Sequence, residues 1–204
     1  MVKLTQKKKQ AQESLQRDIG QVAQEHGLAS LPGSELVELL AKREGLLEWA
    51  AIDTLLKRGS ASVPALIAGL SHHKGKIRST CALLLDHVAD DRCVEPLINA
   101  IRHDPLEAVR RCALHSLICD GCKECPLTTD VIAILTEVAE RDRSLAVRRR
   151  AVFYLSQQRP NARVAPFLQN LVETETDTVL LRRAANALQH HQPIVGGTSF
   201  VACP

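Results

Sequence analysis

Aromatic side chains are scarce in this sequence, where only 2% of the 204 residues are Phe, Trp or Tyr. Proteins that bind single-stranded nucleic acids usually stack the bases on aromatic side chains, and this composition offers little for such a surface. The apolar residues are mainly Leu, Ala, Val and Ile, which suit closely packed helices. We therefore expect a helical protein without an aromatic stacking site.

The sequence also lacks a strong charge excess and a long apolar run. Its net charge is +3, which does not by itself predict a polyanionic partner. No apolar stretch approaches the ~18 residues that a membrane span needs, and no apolar stretch follows the basic N-terminus as it would in a signal peptide. We therefore expect a cytoplasmic protein that does not enter the membrane. The seven cysteines are then not expected to form a disulfide framework.

Five nine-residue frames recur along the chain. Each frame begins with an aliphatic residue, has a small residue in fifth place and ends with leucine, so these three positions share one face of a helix. The small central residue allows a neighbouring helix to approach closely. The frames, which we call A helices, are LEWAAIDTL from Leu47, IRSTCALLL from Ile77, VRRCALHSL from Val109, VRRRAVFYL from Val147 and LLRRAANAL from Leu180.

A second set of amphipathic segments, which we call B helices, alternates with the first. Three of them carry proline in the first turn, where a missing N–H costs little. The segments are GSELVELL from Gly33, VPALIAGL from Val63, VEPLINAI from Val94, VIAILTEV from Val131 and VAPFLQNL from Val164. The predicted unit is an A helix, a turn, a B helix and a loop. Such units bury their apolar faces only by stacking, which predicts an all-α protein, an α-solenoid of about five helical hairpins.

Frames such as VRRCALHSL followed by VEPLINAI resemble HEAT repeats, and in particular the short HEAT-like type first described in phycobilin lyases. The resemblance covers roughly residues 33–190. It implies a helical solenoid whose B helices line a concave face. It does not imply one activity, because scaffolds, lyases, hydroxylases and DNA-repair proteins all contain this repeat type.

The ends of the chain differ from the repeats. We predict that residues 1–32 are a basic segment and a capping helix with Leu15, Ile19 and Val22 on its apolar face. Residues 33–191 are the predicted array, and residues 192–204 are a tail rich in glycine and proline. The last A helix has no B helix after it, so it is a candidate surface for self-association.

Arginines recur at the second frame position, as Arg78, Arg110 and Arg148. Three aspartates precede A helices by a few residues: Asp104, Asp142 and Asp177. One interpretation is a ladder inside the array, in which these aspartates cap helices and pair with the arginines. The other is a ridge that binds phosphate. Arg149 and Arg150 exceed what the ladder requires and are candidate binding residues.

The outward side chains of the B helices are polar and slightly acidic, which fits a protein partner better than nucleic acid. The candidate contact residues are Glu95, Asn99, Glu137 and Asn170. Trp49 and Asp53 stand four apart, as a tryptophan and an aspartate do in DNA glycosylases built from HEAT-like repeats, but this pair has no aromatic cluster around it. A HEAT-like hydroxylase needs His-Glu pairs, and the sequence contains no His-Glu dipeptide.

Three cysteines, Cys119, Cys122 and Cys125, fall in the connection after the third A helix, which is about five residues longer than the others. With His115 or Cys93 as a fourth ligand they could hold one structural zinc ion. The alternatives are part of an iron–sulfur cluster, a Cys122–Cys125 redox pair, or reduced thiols without a ligand.

The sequence as a whole favours a HEAT-repeat scaffold or adaptor without catalysis of its own, with another protein as its partner. Two alternatives remain open at this point. One is a nucleic-acid-associated protein of the HEAT-like DNA glycosylase type. The other is a lyase-like or chaperone-like helper of a cofactor protein.

Overall fold

The computed structural model of the chain describes residues 2–41, 45–122 and 127–191, without the side chains of residues 2–5, 7 and 120. Eleven α-helices and no β-strand lie in these ranges. The chain divides into two compact units, residues 1–129 and residues 130–204. Helices of both units belong to the predicted array of residues 33–191.

All predicted A and B segments form helices. The B helices are α2 (Gly33–Leu39), α4 (Val63–Gly69), α6 (Val94–His103), α8 (Val131–Arg141) and α10 (Ala165–Thr174). The A helices are α3 (Gly45–Lys57), α5 (Gly75–Val88), α7 (Glu107–Ile118), α9 (Leu145–Leu155) and α11 (Thr178–His191). An N-terminal helix, α1 (Val2–Glu25), precedes them.

The A-helix frame is the buried face that the sequence predicted. Each of its fifteen aliphatic, small and leucine positions is buried, and the small central residue is fully inaccessible in every frame. A small side chain at this position allows the backbones of neighbouring A helices to come close. The central residues are Ala51, Cys81, Ala113, Ala151 and Ala184.

The packed hairpin is a B helix with the A helix that follows it, not the A-then-B unit predicted from the sequence. The pairs in contact are α2 with α3, α4 with α5, α6 with α7, α8 with α9, and α10 with α11. For the last three pairs the length of the connection favours this arrangement. Only residues 104–106, 142–144 and 175–177 join those helices, and short connections make antiparallel neighbours. The last A helix, α11, therefore has a B partner in α10, which corrects the prediction that it lacks one.

In the first unit, α1 packs against α3, α3 against α5, and α5 against α7. Ile19 of α1 is buried in this contact, whereas Leu15 is 48% exposed and does not join the predicted apolar face. Arg58, just after α3, donates hydrogen bonds to the carbonyls of Leu28, Ala29 and Leu31 at 2.7–3.1 Å. The side chain of Arg58 thus ties the segment that follows α1 to the end of the first A helix.

In the second unit, α11 packs against both α9 and α10. His191, at the end of α11, is buried and bonds through Nε2 to the Leu155 carbonyl at 2.8 Å. Its Nδ1 accepts the Asn161 N–H at 3.0 Å, so the neutral imidazole satisfies both partners. The structure shows His191 joining the end of α9 to the end of α11.

None of the helices in the described ranges combines the length and the apolar character that crossing a bilayer requires.

The last A helix, α11, was predicted as a surface for self-association. Its residues Leu181 and Ala185 are half-buried and Leu188 is buried. The tail at residues 192–204 lies outside the described residues, so self-association through this repeat stays a prediction.

Close approach between helices can be tested at Gly69, the last residue of α4. A Cβ atom at this position would clash with the Sγ of the fully buried Cys81 and lie 3.2 Å from Val37 Cγ1. We expect Gly69→Ala to lower the free energy of unfolding by about 1–3 kcal/mol because of this overpacking. Thermal and urea melts measure the effect.

Gly20 provides the matched control, since it lies mid-helix in α1 and a Cβ atom there would meet nothing within 4 Å. Gly20→Ala should be neutral or stabilise by up to about 1 kcal/mol. In a double-mutant cycle, Cys81→Ala should reduce the cost of Gly69→Ala. Additive losses would contradict a steric contact between the two sites.

Candidate functional site

The arginines at the second frame position are used inside the repeats. Arg78 donates to both carboxylate oxygens of Asp104, at 2.6 and 3.1 Å, and to the His72 carbonyl at 2.9 Å. Both side chains of this ion pair are almost buried. Arg110 donates to the Asp104 carbonyl and Arg148 to the Asp142 carbonyl, each at 3.1 Å. These contacts place the three arginines within the repeats, Arg78 through an aspartate carboxylate and Arg110 and Arg148 through main-chain carbonyls.

The aspartates of the ladder act in two ways. Asp104 and Asp142 accept the N–H of the residue two positions on, Leu106 and Ser144, so they tighten the short connection rather than cap the first helical amides. Asp177 accepts the Leu180 N–H at 2.8 Å and does cap its helix.

Arg149 also belongs to this ladder, although the sequence predicted that the ladder does not require it. Its Nε donates to Asp177 Oδ1 at 2.8 Å, and a second bond joins its terminal nitrogen to the other oxygen. Arg150 is exposed, and its guanidinium lies 5.7 Å from the ring centre of Tyr154 and 5.9 Å from that of Phe153. The arginine cluster of α9 is therefore held by a carboxylate and by aromatic rings.

The cysteine connection brings four possible metal ligands together at the end of the first unit. One donor atom from each of Asp86, His115, Cys119 and Cys122 lies within 4.8 Å of all the others. His115 Nε2 is 3.1 Å from Asp86 Oδ2, and a hydrogen bond of 3.1 Å joins the Cys119 and Cys122 sulfurs. The hydrogen bond with Cys119 and the nearby Asp86 carboxylate raise the pKa of the Cys122 thiol to about 12.

Helix ends position these four side chains. Asp86 lies in the last turn of α5, His115 in the last turn of α7, and Cys119 is the residue at which α7 ends. The turn Asp120–Cys122 then returns Cys122 to Cys119. Because α5 packs against α7, the ends of both helices meet at one place.

Of the five metal ligands predicted from the sequence, three fall in this group: His115, Cys119 and Cys122. Cys93 is fully buried in the turn Asp91–Cys93 and is not one of the four donors. Cys125 lies outside the described residues. Asp86 was not predicted. A signal for it exists in the sequence, because Asp86 follows the last frame leucine of α5 at a position held by Leu56 in α3 and Ile118 in α7.

The predicted contact residues of the B helices divide by exposure. Glu95, Asn99 and Asn170 are exposed, whereas Glu137 is half-buried.

Asn99 lies on a groove of about 550 Å³ in the first unit, between α4 and α6. Ile67, Leu70 and Pro96 form apolar parts of its wall, and its polar lining comprises Asn99, Ser71, His72, His73, His103 and the Arg78–Asp104 ion pair.

Trp49 and Asp53 have different surroundings. Trp49 is 56% exposed, so it is not a packing residue. Asp53 forms an ion pair with Lys57 at 2.7 Å and accepts a hydrogen bond from Gln16 of α1 at 3.2 Å. The carboxylate is thus engaged by its own helix and by the N-terminal helix.

The sequence of residues 94–189 matches the family of HEAT repeats. Residues 94–189 consist of HEAT repeats. The resemblance noted above is confirmed for these residues, and with it the all-α class of helical solenoids. Searching curated protein sequences found no match.

Several solved structures share the fold of this chain. The complex of CpcE and CpcF of phycocyanin lyase from Nostoc sp. PCC7120 has a TM-score of 0.59 at 18% identity, over 75% of this chain and 95% of that one. YibA of Escherichia coli has a TM-score of 0.55 at 23% identity, over 81% of this chain and 62% of that one. A designed armadillo repeat protein in complex with the peptide (KR)4 has a TM-score of 0.51 at 15% identity, over 92% and 94%.

The Arg149–Asp177 pair predicts a pH dependence of stability. The hydrogen bonds from Arg149 lower the pKa of Asp177 to about 2, below the value of about 3.9 in an unfolded chain. The Arg149–Asp177 pair therefore stabilises the folded chain fully above the pKa of Asp177 in the unfolded chain. This stabilisation is lost as the pH falls toward the pKa of Asp177 in the folded chain. We expect the difference in melting temperature between wild type and Arg149→Ala to be constant near neutral pH and to shrink between about pH 4 and pH 2.

Arg150→Ala is the matched control on the same helix, because Arg150 stacks on rings and should show no acid-dependent difference. A gap for Arg149→Ala that stays constant down to about pH 2 would contradict the ion pair as its cause.

Proposed function

We propose that this HEAT-repeat protein is a non-catalytic scaffold that binds an extended segment of another protein in the groove between α4 and α6. The observation that carries the proposal is the groove itself, which has a volume of about 550 Å³ and the exposed Asn99 on its lining. A cleft of this size accommodates several side chains of a peptide.

The chemistry of the groove favours a peptide backbone. The Asn99 amide can donate to a carbonyl and accept from an N–H, which is the pair of groups that an extended peptide presents. Ile67, Leu70 and Pro96 offer apolar surface for alternate side chains. The Arg78–Asp104 ion pair already neutralises the charges of the lining, so the groove does not require a charged ligand.

Two structures with the same fold are consistent with a protein partner. CpcE binds CpcF, and the designed armadillo protein binds a peptide. Identities of 18% and 15% establish a shared fold only, so neither the lyase activity nor the basic peptide extends to this chain. What supports the proposal is the lining of its own groove.

The test compares partner capture by wild type, by Asn99→Ala, and by a control with Leu83→Ala, an exposed residue of the A helix α5. Proteins retained from the native host are identified by mass spectrometry, and a synthetic segment of the retained protein is titrated calorimetrically. We expect Asn99→Ala to weaken binding about tenfold, the cost of losing a pair of hydrogen bonds, and Leu83→Ala to leave the Kd unchanged. Equal Kd values for Asn99→Ala and wild type would place the binding surface elsewhere.

Duplex DNA serves as the competing ligand. Arg78 and Arg149 are committed to carboxylates, which leaves less positive charge for phosphates. We expect no tight binding at physiological salt. A nanomolar Kd with a steep salt dependence would instead favour a nucleic-acid-associated protein.

A further inference from the structure

We propose that Asp86, His115, Cys119 and Cys122 bind one zinc ion that fastens the end of α7 to the end of α5. The four donor atoms already lie within 4.8 Å of one another, before any ion draws them together. This site lies in the first unit, apart from the proposed groove, and it gives the cysteine connection a role that protein binding leaves unexplained.

The position of Asp86 is the strongest argument for a cation. Its side chain is only 3% exposed, and burying a carboxylate is costly unless positive charge compensates it. It also lies in the last turn of α5, where the partial negative charge of the helix end disfavours an acidic side chain. Two thiols stand beside it. An environment that gathers potential anions at a helix end is one that a divalent cation stabilises.

The distances fit a tetrahedral ion after small movements. Around zinc, two sulfur ligands at about 2.3 Å from the metal lie about 3.8 Å apart, and a nitrogen and an oxygen ligand lie about 3.4 Å apart. The corresponding distances here are 3.1 Å between the Cys119 and Cys122 sulfurs and 3.1 Å between His115 Nε2 and Asp86 Oδ2. Each pair needs to open by less than about 1 Å.

The donor set favours zinc over the harder divalent cations. Two thiolates are soft ligands, whereas magnesium and calcium prefer oxygen. Imidazole and carboxylate complete a four-ligand set of the kind that closes a structural zinc site. An iron–sulfur cluster usually takes four thiolates, and the group described here contains two.

The expected role is mechanical. Cys119 ends α7, and the long connection to α8 begins there. An ion bound between this turn and Asp86 would join it to α5, a neighbour in space that is distant in sequence. Unfolding would then release the ion, and the binding free energy would add to the stability of the first unit.

The first experiment measures metal in protein purified under reducing conditions without chelator. We expect close to one zinc per chain in wild type and in Cys112→Ser, a matched control on α7 outside the cluster. Cys122→Ser should lose the metal, and Asp86→Asn should weaken zinc binding by more than about tenfold, since an amide is a poor zinc ligand but preserves the shape of the side chain. Circular dichroism verifies that each variant is folded.

A second measurement does not depend on any variant. Zinc added back to chelator-treated wild type should raise the melting temperature, and magnesium at the same concentration should not. Cobalt in place of zinc should give the visible spectrum of a tetrahedral site with thiolate charge-transfer bands, and these should be lost in Cys122→Ser and unchanged in Cys112→Ser.

Three results would overturn the proposal. The first is negligible zinc in wild type together with no stabilisation by added zinc. The second is a Cys119–Cys122 disulfide in the purified protein, seen as a mass two hydrogens lower, which would make the pair a redox element. The third is loss of metal in Cys125→Ser but not in Asp86→Asn, which would assign the fourth ligand to Cys125 and remove Asp86 from the site.

Discussion

Close contact between helices at one small residue per A helix is the constraint on which the rest of the molecule depends. Ala51, Cys81 and Ala113 are fully inaccessible in the first unit, and Ala151 and Ala184 are fully inaccessible in the second. A larger side chain at these places would push neighbouring helices apart and expose the apolar faces that hold each unit together. Because the helices lie close together, their ends also lie close together. The ion pairs and hydrogen bonds described above are formed near those ends.

Side chains of the A helices bond to the neighbouring repeat. Arg78 reaches Asp104, Arg149 reaches Asp177, and His191 reaches the Leu155 carbonyl, each in the adjacent hairpin or its connection. Charge-assisted bonds of this kind fix the spacing between repeats as well as stabilising them. The same arginines are thereby held inside the repeats, which leaves less positive charge for binding phosphate.

The cysteine connection departs from this pattern in an informative way. The connection to the next B helix is longer after α7 than after α3, α5 or α9, and it carries Cys119 and Cys122. Asp86 is a second difference from the other repeats, since α3 and α7 have apolar residues at the same position. A buried carboxylate is unfavourable in a helix stack unless it meets a partner, and His115 with the two thiols supplies that partner in the neighbouring helix.

The sequence by itself determined the helices and their buried faces, because aliphatic and small residues at fixed helical spacing have one favourable arrangement in water. It also located His115, Cys119 and Cys122 as neighbours, since they are close along the chain. Tertiary structure decided what depends on distance in space. Each B helix packs against the A helix that follows it, and Arg149 joins a ladder because Asp177 faces it. Asp86, 29 residues before His115, reaches the cysteine turn only because α5 and α7 end side by side.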